Sequence, residues 1–320
     1  MEEEASSQTP NYFDPYLDDE DEALAEVAEA LIALDPTGAR WAAVLRHTYD
    51  MIYNGQETGR YQWNDLMKTE KTHFGTLFEI NAQREFRFEG GDKTDYKISG
   101  HQVDAKWSQS DGGWMLPPEV FEHLALVATA SDADGIWSLG LVRVTPENRR
   151  EKSNRDMKTQ LNKRGRDAIR WLWRNEPLPP NVLLALDAAQ VAHIFDHKSG
   201  TQRTHRLFRA AEGMIVHRST VATVSMQMDP QKRVRYSGGS RDALQPEGIV
   251  ILSGKYHAGT AEDLGVPVPG PLEYIAVRVV PSEDDEGAIM SGSRWRRATA
   301  TDPVVSAPLV PERGTRDKWT

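Results

Sequence analysis

The sequence predicts an α+β domain over residues 21–173, followed by a basic domain with a winged helix-turn-helix over residues 182–320. Three observations carry this division. The apolar period changes from helical to alternating near residue 94, and three prolines fall within residues 174–181. Charge is also uneven: residues 1–35 hold twelve Asp or Glu and no Lys or Arg, while residues 143–241 hold twenty basic and nine acidic side chains. Proline resists helix and ladder alike, so 174–181 reads as a linker. A chain of 320 residues suits about two domains.

Residues 1–20 are acidic and polar and read as a poorly ordered arm. Leu24, Val27, Leu31 and Leu34 then recur at helical spacing until Asp35-Pro36-Thr37-Gly38 stops them. A second helix fits Trp41 to Tyr53, closed by Asn54-Gly55, and a third fits Thr76 to Phe86. Thr94 to Ser99 and Gln102 to Ser108 read as strands around a Gly100-His101 turn. Leu124 to Ala130 and Ile136 to Val144 read as a second pair, and a helix capped by Ser153 or Asn154 is expected to reach about Trp173. Beyond the linker, helices are expected at 186–196 and 203–214, and strands at Gly248 to Ser253 and Tyr274 to Val280. The proline-rich stretch from Pro303 reads as a surface wrap.

Composition removes several classes. No apolar run approaches the ~20 residues of a bilayer-spanning helix. Met1-Glu2-Glu3-Glu4 lacks the basic and apolar regions of a secretory signal. Cysteine is absent, which excludes disulfides, thiolate zinc sites and cysteine nucleophiles. A cytoplasmic protein is expected.

The first hairpin carries the most information. With Gly100-His101 as the turn, Lys97 faces Asp104 and Asp95 faces Lys106. Directly paired residues share a side of the sheet. Asp95, Lys97, Asp104 and Lys106 then lie on a charged face, and Tyr96, Ile98, Val103 and Ala105 on an apolar one. Two carboxylates and a lysine on a rigid ribbon suit metal-assisted phosphodiester cleavage. Mg²⁺ takes oxygen ligands in near-octahedral geometry. Asp95, Asp104 and the Ala105 carbonyl can supply three of them, and Glu79 on the preceding helix a fourth, directly or through water. Lys106 would orient the attacking water and stabilise the oxyanion. An ordinary salt-bridged surface hairpin would show the same short Asp-x-Lys spacing.

In the second half, His217 to Gln227 fits one helix. Asp229 and Pro230 restart the chain into a short basic helix, Gln231 to Tyr236. These are the parts of a helix-turn-helix, with the following glycines, Arg241 and the Ile249–Leu252 strand as a wing. Lys232, Arg233, Arg235, Arg241 and Arg218 are the candidate DNA contacts. A solvated basic helix that binds nothing is the plainer alternative.

Longer motifs point to a family. Lys68-Thr69-Glu70-Lys71-Thr72-His73-Phe74-Gly75-Thr76-Leu77, Glu79-Ile80-Asn81, Arg84-Glu85-Phe86 and Val103-Asp104-Ala105-Lys106 resemble the NaeI-type (type IIE) restriction endonucleases. So do Gly113-Trp114-Met115-Leu116-Pro117-Pro118-Glu119, Lys232-Arg233-Val234-Arg235, Ser237-Gly238-Gly239 and Pro246-Glu247-Gly248-Ile249. The resemblance runs from about residue 30 to the end. It implies the PD-(D/E)xK nuclease fold, a mixed sheet flanked by helices, with Glu79, Asp95, Asp104 and Lys106 on its active-site positions. The proline that usually precedes the first aspartate is replaced here by Thr94. The resemblance further implies a Mg²⁺-dependent homodimer that cuts double-stranded DNA at a palindrome, GCCGGC. A second copy of the site, held by the second domain, would act as allosteric effector. Two other readings stay open: a winged-helix regulator with an inactive nuclease domain, and a nicking or repair endonuclease.

Overall fold

A computed structural model describes residues 21–310; the acidic arm expected over 1–20 lies outside them. The chain forms two compact units. One comprises the described residues up to Ile52 with Leu66–Pro179, the other Tyr53–Asp65 with the described residues from Pro180 onward.

In chain order the elements of the first half are α1 (Glu22–Leu34), α2 (Ala39–Tyr53), α3 (Gly55–Thr58, part of the second unit) and α4 (Lys68–Phe86). Strands β1 (Glu89–Gly90), β2 (Tyr96–Ile98), β3 (His101–Ser108), β4 (Leu124–Ser131) and β5 (Ile136–Arg143) follow, then α5 (Lys163–Asp167) and β6 (Arg170–Pro177). The six strands form one mixed sheet in sequence order, antiparallel except that β3 and β4 run parallel. The buried residues of α1, Leu24, Val27, Ala28 and Leu31, follow the predicted apolar stripe. Trp41, Tyr49, Phe74 and Phe78 are buried, and Trp41 stacks on Phe86. Each such ring contributes ~1.5–3 kcal/mol through burial. Trp114 is fully buried and donates its indole N–H to the Ala128 carbonyl, so it packs rather than facing solvent.

Three expectations for this half are corrected. α4 begins at Lys68, not near Thr76, because Glu70 reaches back to the Met67 backbone N–H at 2.8 Å and fixes the helix start. The helix expected from Asn154 to Trp173 does not form. Asn154 instead closes a tight turn, its Oδ1 accepting from Asp156 N and Lys158 N. Only Lys163–Asp167 is helical, capped by Asn162, and Arg170–Pro177 is a strand that absorbs four residues expected in the linker.

The third correction is the hairpin turn. Ser99 and Gly100 both take positive φ, 51° and 84°, as a type I′ turn requires. The pairs are therefore Ile98 with His101, Lys97 with Gln102 and Tyr96 with Val103. The ladder slides by two residues from the expected register, and a slide of two keeps every side chain on its face. Tyr96, Ile98, Val103 and Ala105 are buried.

The second unit contains α3 and α6 (Val182–Ala185), α7 (Ala188–Phe195), α8 (Gly200–Ala210), β7 (Ile215–His217), α9 (Arg218–Ser225) and α10 (Ser240–Leu244). After these come β8 (Ile249–Ser253), α11 (Gly254–Asp263), β9 (Glu273–Pro281), β10 (Ala288–Met290) and β11 (Ser293–Arg297). Its sheet is built on β9, which pairs with β7, β8 and β11. α3 lies on α9 so closely that a Cβ on Gly55 would stand 2.0 Å from Thr223 Oγ1. The final stretch does more than wrap the surface, since Ala307 and Val310 enter the core beside β8 and β9.

The expected helix-turn-helix is not found where the sequence placed it. After α9, Pro230–Arg233 makes a single four-residue 3-10 turn instead of a second helix. Earlier in this unit α7 and α8 follow one another across residues 196–199. Asp187 and Gln190 cap α7 reciprocally, and Ser199 caps α8.

Candidate active site

Four sequence-predicted residues converge at the start of the β2–β3 hairpin. Continuing the observed register by one step sets Asp95 opposite Asp104. Asp95 Oδ2 accepts the Ala105 backbone N–H at 2.8 Å, which fastens it to β3. Lys106 shares the Asp104 side of that strand. Its ammonium contacts the Asp104 carboxylate, lies 3.6 Å from Asp95 Oδ2 and donates to the Ala105 carbonyl at 3.0 Å. Glu79 comes from α4, where the Tyr96 hydroxyl donates to its carbonyl at 2.8 Å and ties helix to strand.

The electrostatics follow from crowding. Burial, then the neighbouring Asp95, pushes the Glu79 carboxyl up to about 7. Burial also pushes Asp104 up to about 6, with the Lys106 charge opposing and the Asp95 charge adding to the rise. Burial alone would lower Lys106, but Asp104, Asp95 and Glu79 outweigh it, and its pKa is raised. The lysine is therefore held as an ammonium.

Among the described residues no three acidic or histidine side chains already stand at the spacing of a metal cage. The donor chemistry nevertheless fits a hard divalent cation. Asp104 Oδ2 is buried and, beyond its ion pair with Lys106, has no hydrogen bond of regular geometry. Asp95, Asp104 and the Ala105 carbonyl already turn oxygens toward one positive group. These oxygens, with Glu79 beside them, are a set that Mg²⁺ or a similar ion accepts.

The family model for restriction endonuclease NaeI matches residues 25–306. The chain belongs to the NaeI restriction endonuclease family. The type II restriction enzyme NaeI of Lentzea aerocolonigenes is 45% identical over 304 residues, covering 92% of this chain and 96% of that enzyme. Membership in the NaeI family makes the chain a type II restriction endonuclease that acts on DNA. No helix among the described residues is long and apolar enough to cross a membrane.

The predicted DNA contacts are dispersed. Arg218 opens α9 and is exposed, as is Arg235. Lys232 is exposed and pairs with Asp229 at 3.1 Å. Arg233 is half-buried and donates to Thr201 Oγ1 on α8. Arg241, expected to face DNA, is instead 2% exposed, and its Nε donates to the Ile251 carbonyl at 2.9 Å. Its charge serves the interior of the second unit. The helices expected at 186–196 and 203–214 form as α7 and α8, and the Ser199 cap starts α8 at Gly200, earlier than expected. Sequence reasoning missed β6, whose Trp171 and Arg174 were read as helix end and linker.

Proposed function

We propose that the protein is a Mg²⁺-dependent type II endonuclease that hydrolyses duplex DNA at a palindrome, GCCGGC, as a homodimer. A second copy of the site acts as allosteric effector. The observation that carries the reading is the convergence of Asp95, Asp104 and the Lys106 ammonium on one side of β3, with Glu79 beside them.

Asp95, Asp104 and the Ala105 carbonyl would hold the ion, with Glu79 as a further ligand directly or through water. Bound there, Mg²⁺ supplies a Lewis acid that acidifies a water and offsets charge on the phosphate. Lys106 remains protonated among three carboxylates and donates to the scissile phosphate, where negative charge grows in the transition state. Asp95 keeps the strand geometry through its bond to Ala105 N.

A palindrome favours a two-fold assembly, which supports the homodimer. Exposed Arg218, Lys232 and Arg235 support DNA binding by the second unit. The coupling is then a free energy shared by two DNA sites. Digestion of a sequenced phage genome with Mg²⁺, followed by mapping of fragment ends, tests the specificity. Plasmids with one site should be cut slowly and rescued by a site-bearing oligonucleotide. Equal rates on one-site and two-site plasmids would remove the effector.

A further inference from the structure

The nuclease unit contains a cavity of about 450 Å³ lined by Asp111, Arg166, Asp167, Ile169, Trp171 and Arg174. We propose that Arg174 and Asp111, on its rim, read one G·C base pair from the major groove. The guanidinium would address guanine O6 and N7, and the carboxylate would accept from the cytosine amino group. The inference rests on the nuclease reading above and adds a specificity determinant to it.

Location comes first. Lys106 pairs with Val127, Val127 with Gly140, and Gly140 with Trp171, so the Lys106, Val127 and Trp171 side chains project from one face of the sheet. Three strand spacings put Trp171 ~14 Å from Lys106. Asp111 follows Lys106 by five residues, a reach of at most about 18 Å. Six base pairs of duplex span ~20 Å at ~3.4 Å per step. The cavity therefore lies within the length of such a site from Lys106.

The local backbone is built to aim these groups. On β5 only Ser138 stands between the residues paired with Trp173 and Glu176, so Arg174 and Asn175 form a bulge. Asn175 takes a φ of 54°, and its N–H donates to Ser138 Oγ at 2.9 Å. Bulges redirect side chains and recur beside active sites. Below them Trp171 lies against Gly140, where a Cβ would stand 3.0 Å from the indole. The Arg174 guanidinium stacks 4.9 Å from the Trp171 ring centroid, which orients its planar fork. Across the cavity Asp111 begins an Asp-Gly-Gly loop, and Gly112 has a φ of 80° with the Arg166 stem against it.

Chemistry decides the ligand. Arg174 and Asp111 stand 4.0 Å apart with side chains 48% and 56% exposed, a loose pair whose hydrogen-bonding edges are available. A surface built for phosphate would be uniformly basic, whereas this one sets two guanidiniums against two carboxylates. The major-groove edge of a G·C pair shows two acceptors and then a donor. An arginine beside an aspartate shows donors and then an acceptor, which is its complement.

The test measures binding in a Lys106→Ala background, which separates recognition from cleavage. Duplexes carry the mapped site, or the same site with each G·C pair in turn replaced by A·T. Arg174→Lys keeps the charge but loses the fork, and Asp111→Ala removes the acceptor. Each should lower discrimination roughly ten- to a hundredfold at the same base pair and its symmetry mate. Affinity for unrelated DNA should stay within about twofold. Thermal midpoints confirm that both variants fold. Unchanged discrimination at every position, or a uniform loss on all duplexes, would overturn the inference while leaving the nuclease reading intact. A parent protein that neither cuts nor prefers any duplex would remove both.

Discussion

Asp95 accepts the backbone N–H of Ala105 at 2.8 Å, so one carboxylate of the site is locked to the strand that carries the other charged groups. That bond separates two roles that a single substitution can distinguish. Asparagine retains an oxygen acceptor for Ala105 N but loses the charge that a cation needs. Asp95→Asn should fold with an unchanged thermal midpoint and cleave roughly a hundredfold or more slowly. Asp95→Ala should lose activity and also about 1–3 kcal/mol of stability, because a partly buried N–H is left unpaired. Denaturant unfolding beside a plasmid-nicking assay would show whether charge and tether separate this way.

Lys106 contributes in a different way. Its ammonium lies between two carboxylates, so Lys106→Ala removes a positive charge from the place where the phosphate must sit. Cleavage should disappear while site-specific binding persists. Asp104→Ala should also abolish cleavage and raise the Mg²⁺ demand of any residual activity, yet bind DNA at least as tightly because a negative charge is gone. Chelation with EDTA should stop the parent enzyme, and added Mg²⁺ should restore it. A Lys106→Ala protein that cuts at the parental rate would show that the site lies elsewhere.

The stretch from Asp95 to Lys106 shows how much of this was readable in sequence. Alternation alone reveals which residues share a face, because a strand has a period of two. It does not fix where the chain turns. Ser99 in a left-handed conformation was not foreseen, and the ladder slid by two. The start of α4 was hidden because residues 68–73 are mostly polar and its signal is one glutamate reaching backward. β6 was hidden for the opposite reason. Ile169, Leu172 and Trp173 have spacing that suits a helix, and strand pairing overrode it. The same tertiary override buried Arg241, since a basic run does not reveal which arginine will meet a carbonyl in the interior.

Arg46 and Asp132 form a buried ion pair that joins α2 to the end of the β4–β5 hairpin, with Nη1 and Oδ1 2.5 Å apart. Arg46 also pairs with Asp50 at 3.1 Å, so it keeps a carboxylate when Asp132 is removed, whereas Asp132 loses a guanidinium bonded to both of its oxygens when Arg46 is removed. Arg46→Ala should cost about 3–5 kcal/mol and Asp132→Ala less. Replacing both with apolar residues of similar volume should cost much less than the two losses combined. Urea melts of the two single variants and the double variant would measure this coupling, and additive losses would deny it.

Asp21 caps α1 through Leu24 N and pairs with Arg143 through both carboxylate oxygens. Its hydrogen bond with Arg143 holds the carboxyl below the usual aspartate range. A folded-state pKa below the unfolded value of ~3.9 stabilises the fold above that pH, and the gain fades as acid protonates the folded carboxyl. The pair is partly open to solvent, which screens it, so the electrostatic part should be about 1 kcal/mol or less. Asparagine caps a helix about as well as aspartate. Asp21→Asn should therefore lower stability slightly at pH 7 and match the parent as the pH falls well below 4. Asp21→Ala should lose about 1 kcal/mol more, and that part should persist at low pH. Thermal melts of the three proteins across pH 2.5–7 would resolve the two contributions. A gap between Asp21→Asn and the parent that did not close in acid would show that the pairing with Arg143 contributes nothing through charge.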